Sequence, residues 1–187
     1  MTRPTTVDEI IALYEDRGLE HYGEDVSQLD HALQCAALAL SDGASEALVA
    51  AALLHDIGHL VADVQADEGY EMGVDDDVHE SVGAKVLAPI FGSAVAQPVA
   101  LHVTAKRYRC AVDPDYLATL SATSVATLAA QGGPLDVEAC ERFASHPGSD
   151  AALRLRTWDD IGKMPEMVTP SLEDLRPILE RLASATT

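Results

Sequence analysis

The chain of 187 residues carries 12 Lys plus Arg against 31 Asp plus Glu, a formal charge of −19 at neutral pH. A surface of that sign repels the phosphates of nucleic acids and anionic membranes unless cations are concentrated locally, which argues against both as partners. At 48% hydrophobic, 23% charged and 4% aromatic residues, the composition is globular rather than disordered, and the length suits one domain with a sizeable core.

Ala and Leu dominate, and apolar residues recur three and four apart rather than two apart, which predicts an all-α fold. The first helix is expected from Val7 to Tyr14. Ser27, three residues before Asp30, reads as an N-cap for a helix through Leu33, Ala37 and Leu40 that Asp42-Gly43 stops. A third helix starts near Ser45, carries Leu48, Ala51, Ala52 and Leu54, and is expected to end near Gly58. Residues Ala62 to Asp77 are acidic and Gly-bearing without apolar period, and read as a long loop. Further helices are expected over His79 to Leu87, Ala94 to Thr104, Asp115 to Ala130, Val137 to Ala144, Asp150 to Asp159 and Ser171 to Ala183, with a break at Gln131-Gly132-Gly133-Pro134. No linker or repeat divides them, so residues 1–187 read as one helical bundle. No run of about 18 apolar residues is present. The N-terminus reaches Asp8-Glu9 before any apolar stretch, which argues against a secretory signal. Cys35, Cys110 and Cys140 form no C-x-x-C pair and suggest neither a disulfide framework nor a thiolate zinc site. Cytoplasmic residence is the expectation.

The chemistry concentrates in histidine. Of seven, the sharpest local signal is Leu53-Leu54-His55-Asp56-Ile57-Gly58-His59. An imidazole and a carboxylate side by side at the end of an apolar helix are costly to bury without a partner, and a metal supplies one. His31 lies one turn into its helix, His79 opens another, His102 sits among Val99, Ala100 and Leu101, and Asp159 follows Trp158 near a helix end. Four histidines and two aspartates from separate helices are ligands that iron, manganese or zinc accept.

With these residues the chain resembles the HD-domain superfamily, whose pattern is a spaced His, an adjacent His-Asp, further histidines and a final Asp. The resemblance implies an HD-domain helical bundle with a metal-site core over about residues 20–163 and a C-terminal helix over about 171–183. It also implies two metals, one held by His31, His55 and Asp159, the other by His79 and His102, with Asp56 bridging. Finer motifs are similar to the mixed-valent di-iron oxygenases of the PhnZ/TmpB type, which cleave the carbon–phosphorus bond of 1-hydroxyphosphonates. These are Tyr22-Gly23-Glu24 through Gln28-Leu29-Asp30-His31-Ala32-Leu33-Gln34-Cys35-Ala36, the His-Asp-Ile-Gly-His run, His79-Glu80 with Val82-Gly83-Ala84, His102 through Tyr108, Gln131 through Pro134, and Arg156-Thr157-Trp158-Asp159. This likeness implies an Fe(II)/Fe(III) pair with dioxygen as co-substrate and a small organophosphonate, such as (R)-2-amino-1-hydroxyethylphosphonate, converted to a carboxylate such as glycine and inorganic phosphate.

Six of the twelve basic residues adjoin proposed ligands: Lys106, Arg107 and Arg109, then Arg154, Arg156 and Lys163. Cations gathered at a site on an acidic protein attract a small dianion while polyanions are rejected. Lys106 is one helical turn beyond His102, and Arg156 three residues before Asp159, so each can share a face with a ligand. By resemblance Lys106 and Arg156 clamp the phosphonate; Arg107 and Arg109 read as solvated surface cations. The same likeness gives His59 and Ser124 substrate contacts and sets Glu24 against a substrate amine. Asp56, Glu24 and Tyr22 thereby enter the catalytic set. One departure stands out: the family's iron-gating tyrosine aligns with His21, and Tyr22 is the next residue. His21 substituting as a reversible ligand, Tyr22 gating through a local shift, and absence of gating remain open. The rival function, a dinuclear-metal HD phosphohydrolase acting on a phosphomonoester or nucleotide, uses the same six ligands. The Tyr-Gly-Glu segment and the Gln-Gly-Gly-Pro turn, which hydrolysis does not require, favour the oxygenase.

Overall fold

The structure, a computed structural model, describes residues 3–21, 25–61 and 78–186. Within them the chain forms α1 (Val7–Arg17), α2 (Gln28–Ser41), α3 (Glu46–Leu54), α4 (Ile57–Val61), α5 (His79–Phe91), α6 (Ser93–Val112), a 3₁₀ turn (Tyr116–Thr119), α7 (Ala122–Ala130), α8 (Val137–Ala144), α9 (Ser149–Ile161) and α10 (Leu172–Thr186). No strand occurs among the described residues, and no helix among them is long and apolar enough to cross a membrane. The loop expected over residues 62–77 lies outside them.

α3 is the hub. Every residue from Leu48 to Leu54 is buried, as in a helix that is apolar all round and enclosed by neighbours. It packs on α2, α6, α9 and α10, while α5 pairs with α6 and α6 with α9. Each leucine enclosed here contributes on the order of 1.5–3 kcal/mol. The Ser27 cap forms as its spacing predicts: its Oγ accepts the Asp30 N–H at 3.1 Å and donates to the Asp30 carboxylate at 2.7 Å. Asp42 then caps the C-terminus, with its N–H on the Leu38 and Leu40 carbonyls. Gly132 and Gly133 take φ of 89° and 69° after α7, which accounts for the break there.

Several helix boundaries differ from expectation. The third helix ends at Leu54, not near Gly58, and Gly58 lies inside the short α4. A Cβ on Gly58 would stand 2.0 Å from the His79 carbonyl oxygen, so glycine serves here for close approach of α4 to α5 rather than as a helix stop. The helix expected over 115–130 is interrupted, because Ser121 turns extended and accepts the Ser124 N–H at 3.1 Å, capping α7 afresh. α6 also runs further than expected, to Val112, and so carries Lys106 on the same helix as His102.

Candidate metal centre

Helix ends and turns around α3 aim six donors at one point. His31 comes from the second turn of α2, and His55-Asp56 from the junction where α3 gives way to α4. His79 opens α5, His102 lies mid-α6, and Asp159 lies near the end of α9. Val78, just before His79, has φ of 47°, a left-handed conformation costly for a β-branched residue.

The donors fall into two groups. His31 Nε2 lies 3.2 Å from His55 Nε2 and 3.4 Å from Asp159 Oδ1. His79 Nε2 lies 3.1 Å from His102 Nε2. Asp56 stands between them: its Oδ2 is 3.3 Å from His55 Nε2 and 3.7 Å from His31 Nε2, whereas its Oδ1 is 3.4 Å from His79 Nε2 and 3.5 Å from His102 Nε2. One carboxylate oxygen thus serves each group.

The far side of each ring explains why this cluster fits cations. His31 Nδ1 donates to the Gly162 carbonyl at 2.7 Å, His55 Nδ1 to that of Ala52 at 2.9 Å, and His102 Nδ1 to that of Val99 at 2.7 Å. A carbonyl only accepts, so each Nδ1 carries a proton and Nε2 is the nitrogen left facing inward, where a proton or a metal ion can bind. Lone pairs then converge with carboxylates at separations near the roughly 3.0 Å that an ion about 2.1 Å from each of two perpendicular donors would impose. Charge supports the same conclusion. Burial alone would raise both carboxyls, yet the His55 ring beside Asp56 and the Arg156 guanidinium beside Asp159 hold them well below the usual range. Burial opposes a charge on His31, but the Cys35 sulfur and the Asp159 carboxylate push its pKa up to about 10. The cluster therefore favours positive charge at His31 and His55, while burial and the His79 ring hold His102 neutral, and metal ions are the form that satisfies all its lone pairs.

Cys35 lies close enough to His31 and His55 to share an ion with them. Its Sγ, however, is 3.8 Å from both His31 ring nitrogens, beside the ring rather than in front of Nε2, and burial pushes the thiol up. It packs the ring in place. His59, on α4, stacks on His79 with centroids 4.0 Å apart at 20° and stands near Asp56, on the rim of the second group.

Beside the first group is a cluster of cations. Lys106 is 3% exposed, and its Nζ donates to Thr127 Oγ1 at 2.9 Å. Burial and the neighbouring Arg156 and Lys163 charges pull its pKa down to about 8, against the opposing pull of Asp159. Ser124, also buried, accepts from Lys163 Nζ at 3.2 Å. Arg156 is buried with Nη1 on Asp159 Oδ2 at 2.6 Å and with Nε on Asp160 Oδ1 at 2.9 Å. Lys106, Ser124 and Arg156 thus lie close together around Thr127 and Lys163, whereas Tyr22 and Glu24 lie outside the described residues.

Four further residues belong to this surround. Thr127 lies one turn beyond Ser124, a spacing that could have signalled it. Lys163 is held on both sides: the Gly162 carbonyl accepts from His31, while the Met164 N–H and carbonyl bond the Gln34 amide. Asp160 and Tyr116 are joined by a 2.7 Å bond across 44 positions, which spacing does not reveal. Arg107 and Arg109, expected as solvated cations, are both engaged. Arg107 donates to the Gly133 carbonyl at 2.7 Å; Arg109 lies 3.2 Å from Asp160 and over the Tyr116 ring.

The sequence matches the HD domain over residues 29–139. It is 41% identical to a hydroxymethylphosphonate dioxygenase of Gimesia maris, over 93% of this chain and 86% of that protein. It is 36% identical to a [1-hydroxy-2-(trimethylamino)ethyl]phosphonate dioxygenase (glycine-betaine-forming) of Leisingera caerulea, over 97% and 92%. An uncharacterised protein of Acanthamoeba polyphaga mimivirus is 33% identical over 97% of the chain and 83% of its own length.

Proposed function

The chain belongs to the HD-domain family, and from that premise we propose that it is an oxygenase cleaving the carbon–phosphorus bond of a small 1-hydroxyphosphonate. Dioxygen is the co-substrate, and the products are a carboxylate and inorganic phosphate. The observation that carries this reading is two groups of inward-facing donors sharing Asp56, set against the buried cations Lys106 and Arg156. Two relatives whose names specify hydroxyphosphonate dioxygenation support it.

His31, His55 and Asp159 would hold one iron and His79 with His102 the other, bridged by Asp56, as an Fe(II)/Fe(III) pair. When bound, the irons supply substrate chelation and dioxygen activation. The protein's own part is placement. Lys106, Ser124 and Arg156 hold the phosphonate and offset its charge, which steadies the developing phosphate as the C1–P bond breaks. His59 contacts substrate from the rim beside His79, and by the family resemblance Glu24 pairs with an amine on C2 where there is one and Tyr22 joins the catalytic set. Burial of His55, His102 and Asp159 keeps bulk water from the inward-facing donors. The chain acts as one HD domain in the cytoplasm, on a small molecule.

The deciding experiment supplies anaerobically prepared, iron-loaded protein with hydroxymethylphosphonate, 2-amino-1-hydroxyethylphosphonate, its trimethylammonio analogue and, separately, phosphomonoesters. Phosphate released with about one equivalent of oxygen consumed is the expected result. Phosphate released from esters without oxygen uptake would overturn it.

A further inference from the structure

Asp160 follows a proposed metal ligand, yet its carboxylate turns away from the metal groups and collects donors. Its Oδ1 accepts from Arg156 Nε at 2.9 Å and from Arg156 Nη2. Its Oδ2 accepts from the buried Tyr116 hydroxyl at 2.7 Å and from Arg109 Nη1 at 3.2 Å. The Arg109 guanidinium in turn lies 4.0 Å from the centre of the Tyr116 ring. This assembly ties the end of α6 and the 3₁₀ turn to α9.

Its effect falls on Arg156. A guanidinium has five N–H groups in one rigid plane, so two bonds to one carboxylate oxygen fix the orientation of the whole fork. Held thus by Asp160, Arg156 places Nη1 2.6 Å from Asp159 Oδ2. That bond occupies Oδ2, which stands 3.8 Å from His55 Nε2, and leaves Oδ1 as the nearer oxygen, 3.4 Å from His31 Nε2. Without it, Oδ2 would be free to serve the first metal group alongside Oδ1. Among the described residues, two N–H groups of Arg156 have no partner beyond these three bonds and lie on the same fixed plane, able to meet an anion.

We propose that Asp160 is a positioning residue: anchored by Tyr116 and Arg109, it sets the plane of Arg156, and through Arg156 it keeps Asp159 a single-oxygen ligand and aims the guanidinium at the substrate's anionic group. The inference rests on the proposed function for the nature of that group, and on geometry alone for the Asp160–Arg156–Asp159 chain. It also gives Tyr116 a role that its distance in sequence from every proposed ligand conceals.

The test uses Asp160→Asn and Tyr116→Phe in iron-loaded protein. The amide keeps size but brings an NH₂ group where one side of the carboxylate now accepts, so it meets either Arg156 or the Tyr116–Arg109 pair as donor against donor. Three quantities are read under anaerobic conditions: iron bound per chain, affinity for inorganic phosphate by titration calorimetry, and the paramagnetic resonance signature of the iron pair. For Asp160→Asn a roughly tenfold loss in phosphate affinity with an altered signature is expected, with a smaller change in the same direction for Tyr116→Phe. With a 1-hydroxyphosphonate, KM rises along with the fall in kcat/KM. Unchanged phosphate affinity and signature in a folded Asp160→Asn protein would overturn the inference. If that variant does not fold, unchanged values in Tyr116→Phe overturn it equally. Should no 1-hydroxyphosphonate be consumed by the unaltered protein, the functional reading fails while phosphate affinity and signature still judge Asp160.

Discussion

Replacing Lys106 with methionine should make the protein more stable and less able to hold its substrate. The Lys106 ammonium is 3% exposed, its bond is to the Thr127 hydroxyl, and the charges of Arg156 and Lys163 oppose it while Asp159 and Asp56 attract it. The balance pulls its pKa from 10.5 to about 8. A drop of that size corresponds to about 3 kcal/mol by which folding disfavours the charged form. Between pH 8 and 10.5 the unfolded chain keeps a proton there that the folded chain has released, so stability rises with pH through that window. The whole cost is present below it. Methionine retains the apolar stem, and Thr127 still donates to the Ser124 carbonyl at 3.2 Å, so little is orphaned by the change. At pH 7 the variant should gain on the order of 2–3 kcal/mol, or roughly 5–10 °C in thermal midpoint for a chain of this length. The difference from the unaltered protein should shrink toward pH 10. Substrate binding should move the other way, with kcat/KM for a phosphonate lowered roughly 30-fold or more, as for about 2–5 kcal/mol lost when a buried charge loses its partner. Thermal denaturation from pH 7 to 10, with steady-state kinetics, tests both halves. A variant less stable at pH 7 would refute the desolvation argument, and a more stable one with unchanged KM would remove Lys106 from the substrate site.

Asp56→Ala should abolish binding of both metals, because one carboxylate oxygen faces each group; elemental analysis showing two metals per chain would contradict that role. Gly58→Ala drives a methyl to 2.0 Å from the His79 backbone oxygen, so α4 and α5 must separate. A loss of about 1–3 kcal/mol is expected, with metal weakened first at His79 and His102, measured by denaturation and by metal titration. Stripping metal with a chelator should lower the thermal midpoint, because ions that bind the folded chain at 100 times their dissociation constant add about 2.7 kcal/mol. A midpoint indifferent to the chelator would mean that these lone pairs bind no ion in solution.

The helices were legible where a local signal had no rival. Ser27 with Asp30 and Gly132-Gly133 mark boundaries by their own chemistry, and the structure places boundaries there. The third helix misled because glycine has two uses. Gly58 could stop a helix or admit a neighbour, and only the position of His79, 21 residues on, decides for the second. Between residues 115 and 130, helical composition competed with the Ser121 cap, whose serine is equally at home on a helix surface; the 3₁₀ turn closed by Tyr116 and Thr119 decided it.

Rarity governs how the site reads in sequence. Histidines and aspartates with apolar neighbours are costly to bury, so their presence on several apolar helices already announces a shared partner, and the structure brings all six within ligand spacing. The cations beside them were harder, because arginine on a helix is ordinary. Arg107 and Arg109 read as solvent-facing yet hold a turn and a carboxylate, since their partners lie 26 and 51 residues away. Arg156 shows the intermediate case. Its spacing to Asp159 is visible as i,i+3 and to Asp160 as i,i+4, but which carboxylate takes which nitrogen depends on Tyr116, delivered by a turn between α6 and α7. Ligand identity is thus written locally in this chain, whereas ligand orientation is written in contacts between distant segments.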